Sequence, residues 1–182
     1  MWPVYTAKAV LFIKIAGAAL VVASGTALGL YCAGLESVRI KELLEFKKAL
    51  LILSSEIEYM ASPLPEAMAN IAKRSEKPVS EIFSGFAAGI SAGDDTAYRI
   101  WETALGKHKT RFHLTEEDFE ALTAFGKTLG YLDKQMQLNA ISFTLRYIDD
   151  KTTALMESRD GNKRMRRSLG ALGGLLLAVL LW

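Results

Sequence analysis

The residues best equipped for chemistry are few. His108 and His113 are the only histidines. They stand five apart and are flanked by Lys107, Lys109 and Arg111, surroundings in which no metal site is expected. They read as loop or surface residues, with their basic neighbours as a small docking patch. Glu116, Glu117, Asp118 and Glu120 crowd one short stretch, and the expected role is a solvated first helical turn. Asp149 and Asp150 are expected to face water too, and Glu56 and Glu58 cannot share one helix face. No GxxxxGK[ST] loop, GxGxxG turn or GxSxG elbow occurs. No catalytic, cofactor-binding or metal-ligating residues are therefore assigned.

Cys32 is the single cysteine, which rules out an internal disulfide or a cysteine-cluster metal site. It closes an apolar run, as a lipoprotein cysteine would, but Tyr31 stands where such a signal needs a small residue. Buried or lipid-facing filler is the expected role.

The elements around these residues are sharply segregated. Residues 15–35 and 168–182 hold no Asp, Glu, Lys or Arg, and all 20 acidic residues fall between Glu36 and Asp160. The middle is formally neutral, unlike a phosphate-reading nucleic-acid binder. As a helix, 15–35 would rise about 31 Å, near the thickness of the hydrocarbon core. It is expected to be a retained membrane helix. The alternative is a cleaved signal peptide, with Lys8 and Lys14 ahead of the run and Ala23-Ser24-Gly25 as the cut.

The second run would rise about 22 Å, short for a crossing. Lys163, Arg164, Arg166 and Arg167 form a basic collar before it, and Trp182 stands where an interface anchor belongs. Insertion is expected; a re-entrant, interfacial or buried core helix stays open. Positive-inside bias puts the collar in the cytoplasm, and its charges suit an anionic membrane surface. The expected organisation is a membrane segment over 1–35, a cytoplasmic helical domain over 36–162, and a collar with membrane helix over 163–182.

Proline occurs only at 3, 63, 65 and 78, which permits long helices. Leu43, Leu44, Phe46, Leu50, Leu51, Leu53, Ile57 and Met60 predict an apolar face over about 37–60. Ser62-Pro63-Leu64-Pro65 breaks the chain, and Pro65 with Glu66 opens a short helix through about Lys73. Pro78 starts another, ending near Gly89 to Gly93. Asp94 or Asp95 is expected to cap the next, in which Trp101 packs with Tyr98 and Leu105. Thr115 with Asp118 forms a first-turn cap, Gly130 ends that helix and Asp133 caps the last. Leu138, Ile141, Leu145, Ile148 and Leu155 line its inner face to about 160. Glycine pairs such as Gly85/Gly89 and Gly126/Gly130 mark helix ends or tight crossings. The expected fold class is all-α, an antiparallel helical bundle flanked by amino- and carboxy-terminal membrane helices.

SPLPEAMANIAKR at 62–74 and FGKTLGYLDKQMQ at 125–137, within this layout, resemble the stage III sporulation protein AB family of endospore-forming bacteria. The resemblance covers nearly the whole chain, although Met1–Lys14 extends beyond the usual family start. It implies a soluble part similar to the cytoplasmic domains of the type II secretion F protein, a non-enzymatic inner-membrane platform. It further implies a place in the mother-cell-derived outer forespore membrane, facing the mother-cell cytoplasm. The implied partners are a cytoplasmic sporulation ATPase of the same operon and other membrane subunits of the stage III complex. Pro63 to Glu66 and Gly126 to Gly130 become candidate corners, with Glu66 and Lys127 as candidate contact residues. Two other readings stand beside this one: a platform protein of another secretion or pilus system, and a small membrane enzyme acting on lipids.

Overall fold

In the computed structural model the described backbone covers residues 3–60, 62–93, 95–130 and 133–181. Side chains are described from 34 to 158 outside those gaps, and at a few positions before 34. Two compact units divide at Ser37 and Val38. Six α-helices follow in order: α1 (Pro3–Ser55), α2 (Leu64–Arg74), α3 (Val79–Ala92), α4 (Ala97–His108), α5 (Glu116–Gly126) and α6 (Lys134–Leu181). A π-helical turn, Glu56–Met60, follows α1, and a 3₁₀ turn, Lys109–Arg111, follows α4. No strand occurs among the described residues.

Within the second unit the helices run alternately up and down. Lys134 Nζ donates to the Glu58 carbonyl at one end of the α1–α6 pair, and Lys47 meets Asp149 at 2.5 Å further along. Gly89 faces Ile100 while Glu81 faces His108, so α3 and α4 are antiparallel. One end of the unit thus gathers residues 38–45, 74–78 and 109–118. The other gathers 56–66, 92–97 and 127–136.

The local chemistry explains most boundaries. Leu64 and Pro65 occupy the first turn of α2 with Glu66, and Lys73 and Arg74 oppose the dipole at its last turn. Pro78 precedes α3, and Gly93 ends it at φ +72°, a left-handed conformation that side chains disfavour. Thr115 accepts from the Asp118 N–H while Asp118 accepts from the Thr115 N–H, closing a capping box. Asp133 Oδ1 accepts from the Gln135 and Met136 N–H groups, as its capping role required.

Three expectations need correction. Thr96 caps α4, with Asp95 bonding the Thr96 N–H instead, while Asp94 lies outside the described residues. The fifth helix ends at Gly126, four residues before Gly130, which closes the following turn at φ +91°. Leu44, Leu51 and Met60, read as part of an inner face, are exposed. The π turn widens the helix and changes the register of its end, turning Met60 outward.

The core is built on aromatic rings. Trp101 is fully buried, edge-on to Phe83 and Phe125 at 5.4 Å and to Phe86 at 5.9 Å. Its Nε1 donates to the Leu122 carbonyl at 2.8 Å, so the indole leaves no orphaned donor. Phe46, Leu43, Leu50 and Leu53 of α1 join this core, with Met68 and Ile71 of α2 and Ile141 and Ile148 of α6. Thr144 and Thr152 are also buried on α6, their hydroxyls donating to the Ala140 and Ile148 carbonyls.

Gly126 permits the Trp101 arrangement, since a Cβ there would run into the indole ring. A Cβ at Gly89 would stand 2.6 Å from Ile100 Cγ2. The tight-crossing reading of these glycines holds.

No helix among the described residues is long and apolar enough to cross a membrane. The runs expected to span, 15–35 and 168–182, fall on α1 and α6, where most of their side chains lie outside the described residues. The collar at 163–167 shares that status. Its backbone continues α6 through Gly161 and Asn162 without the break expected near 160.

Gly126→Ala should destabilise the chain by about 1–3 kcal/mol through overpacking against Trp101. Gly106→Ala, where nothing lies within 4 Å, should leave stability unchanged or raise it by up to about 1 kcal/mol. Urea unfolding of both variants followed by far-UV circular dichroism makes the comparison; equal losses would contradict the packing at Gly126.

Candidate interaction site

The acidic stretch at the start of α5 is only partly solvated. Glu116, Glu117 and Glu120 are exposed, but Asp118 is fully buried. Arg39 on α1 approaches it side-on, Nε to Oδ2 at 2.8 Å and Nη2 to Oδ1 at 3.0 Å. Tyr147 on α6 donates its hydroxyl to Oδ1 at 2.9 Å, and the Thr115 N–H donates to Oδ2 at 2.9 Å. A first-turn residue of α5 thus ties α1, α5 and α6 together. Sequence spacing correctly made Asp118 a cap. Its partners, 79 residues away at Arg39 and 29 away at Tyr147, left no local signal.

The electrostatics follow from this geometry. Burial pushes the Asp118 carboxyl up, yet the Arg39 bond, together with those from Thr115 and Tyr147, holds it below the ordinary value. The Asp118 carboxylate raises Arg39 despite partial burial. Burial, then the bond to Asp118, pushes the Tyr147 phenol up. Lys151 to Glu117, at 2.7 Å, and Lys47 to Asp149, at 2.5 Å, add more exposed links around this node. Asp149 therefore faces water only in part, whereas Asp150 is exposed.

A second cluster centres on Glu81 in the first turn of α3. Lys77 at 3.3 Å, His108 Nδ1 at 3.4 Å and Arg111 all meet its carboxylate. Arg111, then Lys77, holds Glu81 below the ordinary carboxylate value against a smaller effect of desolvation. Two clefts meet at Glu81. One, of about 710 Å³, runs between α3 and α4 past Gly85, Gly89, Ala104 and Lys107; the other lies between α2 and α3 beside Lys73. His113 is separate, its N–H donating to Glu42 Oε2 at 2.8 Å. The two histidines thus meet different carboxylates. No group of three His, Cys, Asp or Glu side chains could hold a metal among the described residues.

The opposite end of the unit is apolar in places. Tyr59 and Met60 are 78% and 68% exposed there, and Phe143, 73% exposed, lies further along α6 toward the Lys47–Asp149 pair. Met136 lies seven residues before Phe143, on the same face of α6 and also exposed. Glu66 and Lys127, the two candidate contact residues, are exposed at this same end. Beneath it, Glu56 is buried, accepting from Ser62 Oγ at 2.8 Å and Asn70 Nδ2 at 3.5 Å. Glu58 is exposed, so the two carboxylates do diverge. Sequence reading missed both the buried Glu56 and the exposed Phe143.

These features define an all-helical bundle in which some charged groups tie helices together and whose ends carry exposed, chemically distinct surfaces. Residues 14–182 match the family described as Stage III sporulation protein AB. The Stage III sporulation protein AB of Bacillus subtilis (strain 168) is 34% identical over 169 residues, covering 93% of this chain and 99% of that one. A solved structure of a Stage III sporulation protein AB superposes with a TM-score of 0.63 at 31% identity, covering 68% of this chain and 98% of its own. The chain belongs to the stage III sporulation protein AB family, which ties it to sporulation. The match beginning at residue 14 agrees with an amino-terminal extension ahead of the family start.

Asp118 stabilises the fold only while ionised, because its folded pKa lies below its unfolded one. Its contribution should be complete above about pH 4 and vanish as acid reaches the folded value. Asp118→Ala should cost about 3 kcal/mol at neutral pH by stranding Arg39. Asp118→Asn should flatten the acid limb of stability. Urea midpoints measured across the acid range test both; an unchanged limb in Asp118→Asn would show that other carboxylates set it.

Proposed function

We propose that the chain is a membrane-anchored, non-catalytic platform subunit of the channel assembly between mother cell and forespore. Its two apolar runs hold it in the mother-cell-derived outer forespore membrane, and its helical unit faces the mother-cell cytoplasm. There it docks the cytoplasmic ATPase of the same operon and joins other membrane subunits of the stage III complex. The observation that carries this reading is the family match over 14–182, which takes in both apolar runs and the helical unit between them.

The arrangement within the unit supports it. Many of its charged groups join helices to one another, as Arg39 and Tyr147 do through Asp118. Tyr59, Met60, Met136 and Phe143 instead leave apolar surface in water, and such surface at and near one end suits a protein partner. Glu66 and Lys127 supply charges beside it. The resemblance drawn from the sequence to the cytoplasmic domains of the type II secretion F protein suggests the same role by analogy, a helical domain that couples an ATPase to a membrane channel without hydrolysing ATP.

Affinity capture from membranes of sporulating cells provides the test. The wild-type chain should resist carbonate extraction and bring down the operon's ATPase. Met60→Ser with Phe143→Ser should weaken that capture about tenfold, equivalent to ~1.4 kcal/mol, while leaving membrane retention intact. Carbonate release of the wild-type chain would remove the anchor from this reading. Membrane retention without ATPase capture would remove the docking role.

A further inference from the structure

The two ends of the helical unit differ in charge as well as in apolar surface. The end where residues 38–45 lie carries eight Lys and Arg against seven Asp and Glu over 38–45, 73–81 and 107–118, with most of those carboxylates already paired within the fold, and six of its cations lie in 73–81 and 107–113. These six are Lys73, Arg74, Lys77, Lys107, Lys109 and Arg111, all exposed. Several polar contacts bring these segments together. Glu81 meets Lys77, His108 and Arg111. The Glu76 N–H donates to Glu45 at 2.8 Å, and His113 binds Glu42. Both loops are thus pinned to the first turns of α1 within this unit.

A single carboxylate at Glu81 cannot neutralise two cations, and Lys109 alone is matched elsewhere, by Glu116 at 2.5 Å. Lys73, Arg74 and Lys107 have no ion-pair partner among the described residues. The carboxy-terminal dipoles of α2 and α4 account for cations in their last turns. They do not account for Lys77 or the 3₁₀ turn, which lie outside both helices. Within this unit three basic residues of α1 are spent differently, Arg39 on Asp118, Lys47 on Asp149 and Lys48 on Glu45, while Lys41 is exposed without an ion pair among the described residues.

We infer that this end of the unit is a docking surface for anionic phospholipid headgroups. The inference rests on the membrane-anchored reading above and adds a second contact, made by the folded unit itself. Chain order supports the choice of a bilayer: the sequence passes directly from 15–35 into residues 38–45 at this end. From Lys151 and Leu155, beside Arg39 and Thr115, it proceeds to the collar at 163–167. Each Lys or Arg near an anionic leaflet contributes about 1 kcal/mol, over a range set by the Debye length. Lys73, Arg74 and Lys107, which no ion pair among the described residues offsets, together with Lys77 and Arg111, which share one carboxylate, would hold one face of the unit against the membrane and leave Tyr59 and Met60 turned toward the cytoplasm.

The test uses the full chain, carrying Cys32→Ser and an environment-sensitive fluorophore on Thr110→Cys, in phosphatidylcholine vesicles with and without phosphatidylglycerol. Nitroxide-headgroup lipid is the quencher. Quenching at position 110 should be several-fold stronger with phosphatidylglycerol. It should fall to the neutral-vesicle level in about 1 M salt, where the Debye length is ~3 Å. Replacing Lys73, Arg74, Lys77 and Lys107 by Gln should have the same effect without altering flotation or helicity. A probe on Asn139→Cys, at the other end, should show no lipid dependence. Equal quenching in both lipids, or none lost in the fourfold variant, would overturn the inference while leaving the anchor standing. Loss of ATPase capture by that variant without any change in quenching would reassign the patch to a protein partner. Carbonate release of the unsubstituted chain from the vesicles would overturn the anchor and this inference together.

Discussion

A carboxylate removed from water has to be given its hydrogen bonds by the protein, and at Asp118 that requirement organises one whole end of the helical unit. Arg39 supplies two donors from α1, Tyr147 one from α6 and Thr115 a backbone donor from the capping box. Desolvation alone would push its pKa up; the donors more than offset that and hold it below the ordinary value. The bonds are directional, so α1, α5 and α6 cannot slide past one another without breaking several at once. Apolar packing would tolerate such slippage more readily. Whether the node makes the fold more stable than an apolar substitute would is a separate matter, since buried ion pairs often serve specificity more than stability.

The opposite end is held by different means. Trp101 stands at the centre of the α3–α4–α5 packing, bonded to the Leu122 carbonyl and edge-on to three phenyl rings. Small residues at Gly89 and Gly126 let the helices approach that ring system. The buried Glu56, satisfied by Ser62 and Asn70, secures the π turn where α1 gives way to α2. With both ends anchored internally, the unit can leave apolar surface at one end and several cations without ion-pair partners among the described residues at the other. Neither surface takes part in the core, which suits a protein that acts by holding partners in place.

Much of the architecture was legible in the sequence because its causes are local. The Pro63–Pro65 break, the Thr115–Asp118 capping box and the Asp133 cap depend on residues within a few positions of one another. So does the amphipathic stripe through Ile141 and Ile148. Local reasoning slipped where two adjacent candidates competed, as when Thr96 rather than a neighbouring aspartate capped α4. It also slipped where a π turn shifted the register and exposed Met60.

The sequence by itself determined that the chain is helical, where most helices begin and end, and which family it belongs to, through motifs that need no partner in space. Only the tertiary structure decided which charges are structural. Asp118 and Glu120 look alike in a list of acidic residues, but one is buried under Arg39 and Tyr147 while the other meets water. Lys47 is matched by Asp149, whereas Lys73 and Lys107 are left without an ion-pair partner among the described residues. The reason is physical: the state of a charge depends on its dielectric surroundings and on donors a few ångströms away. Those neighbours come from helices that the chain brings together only after many intervening residues.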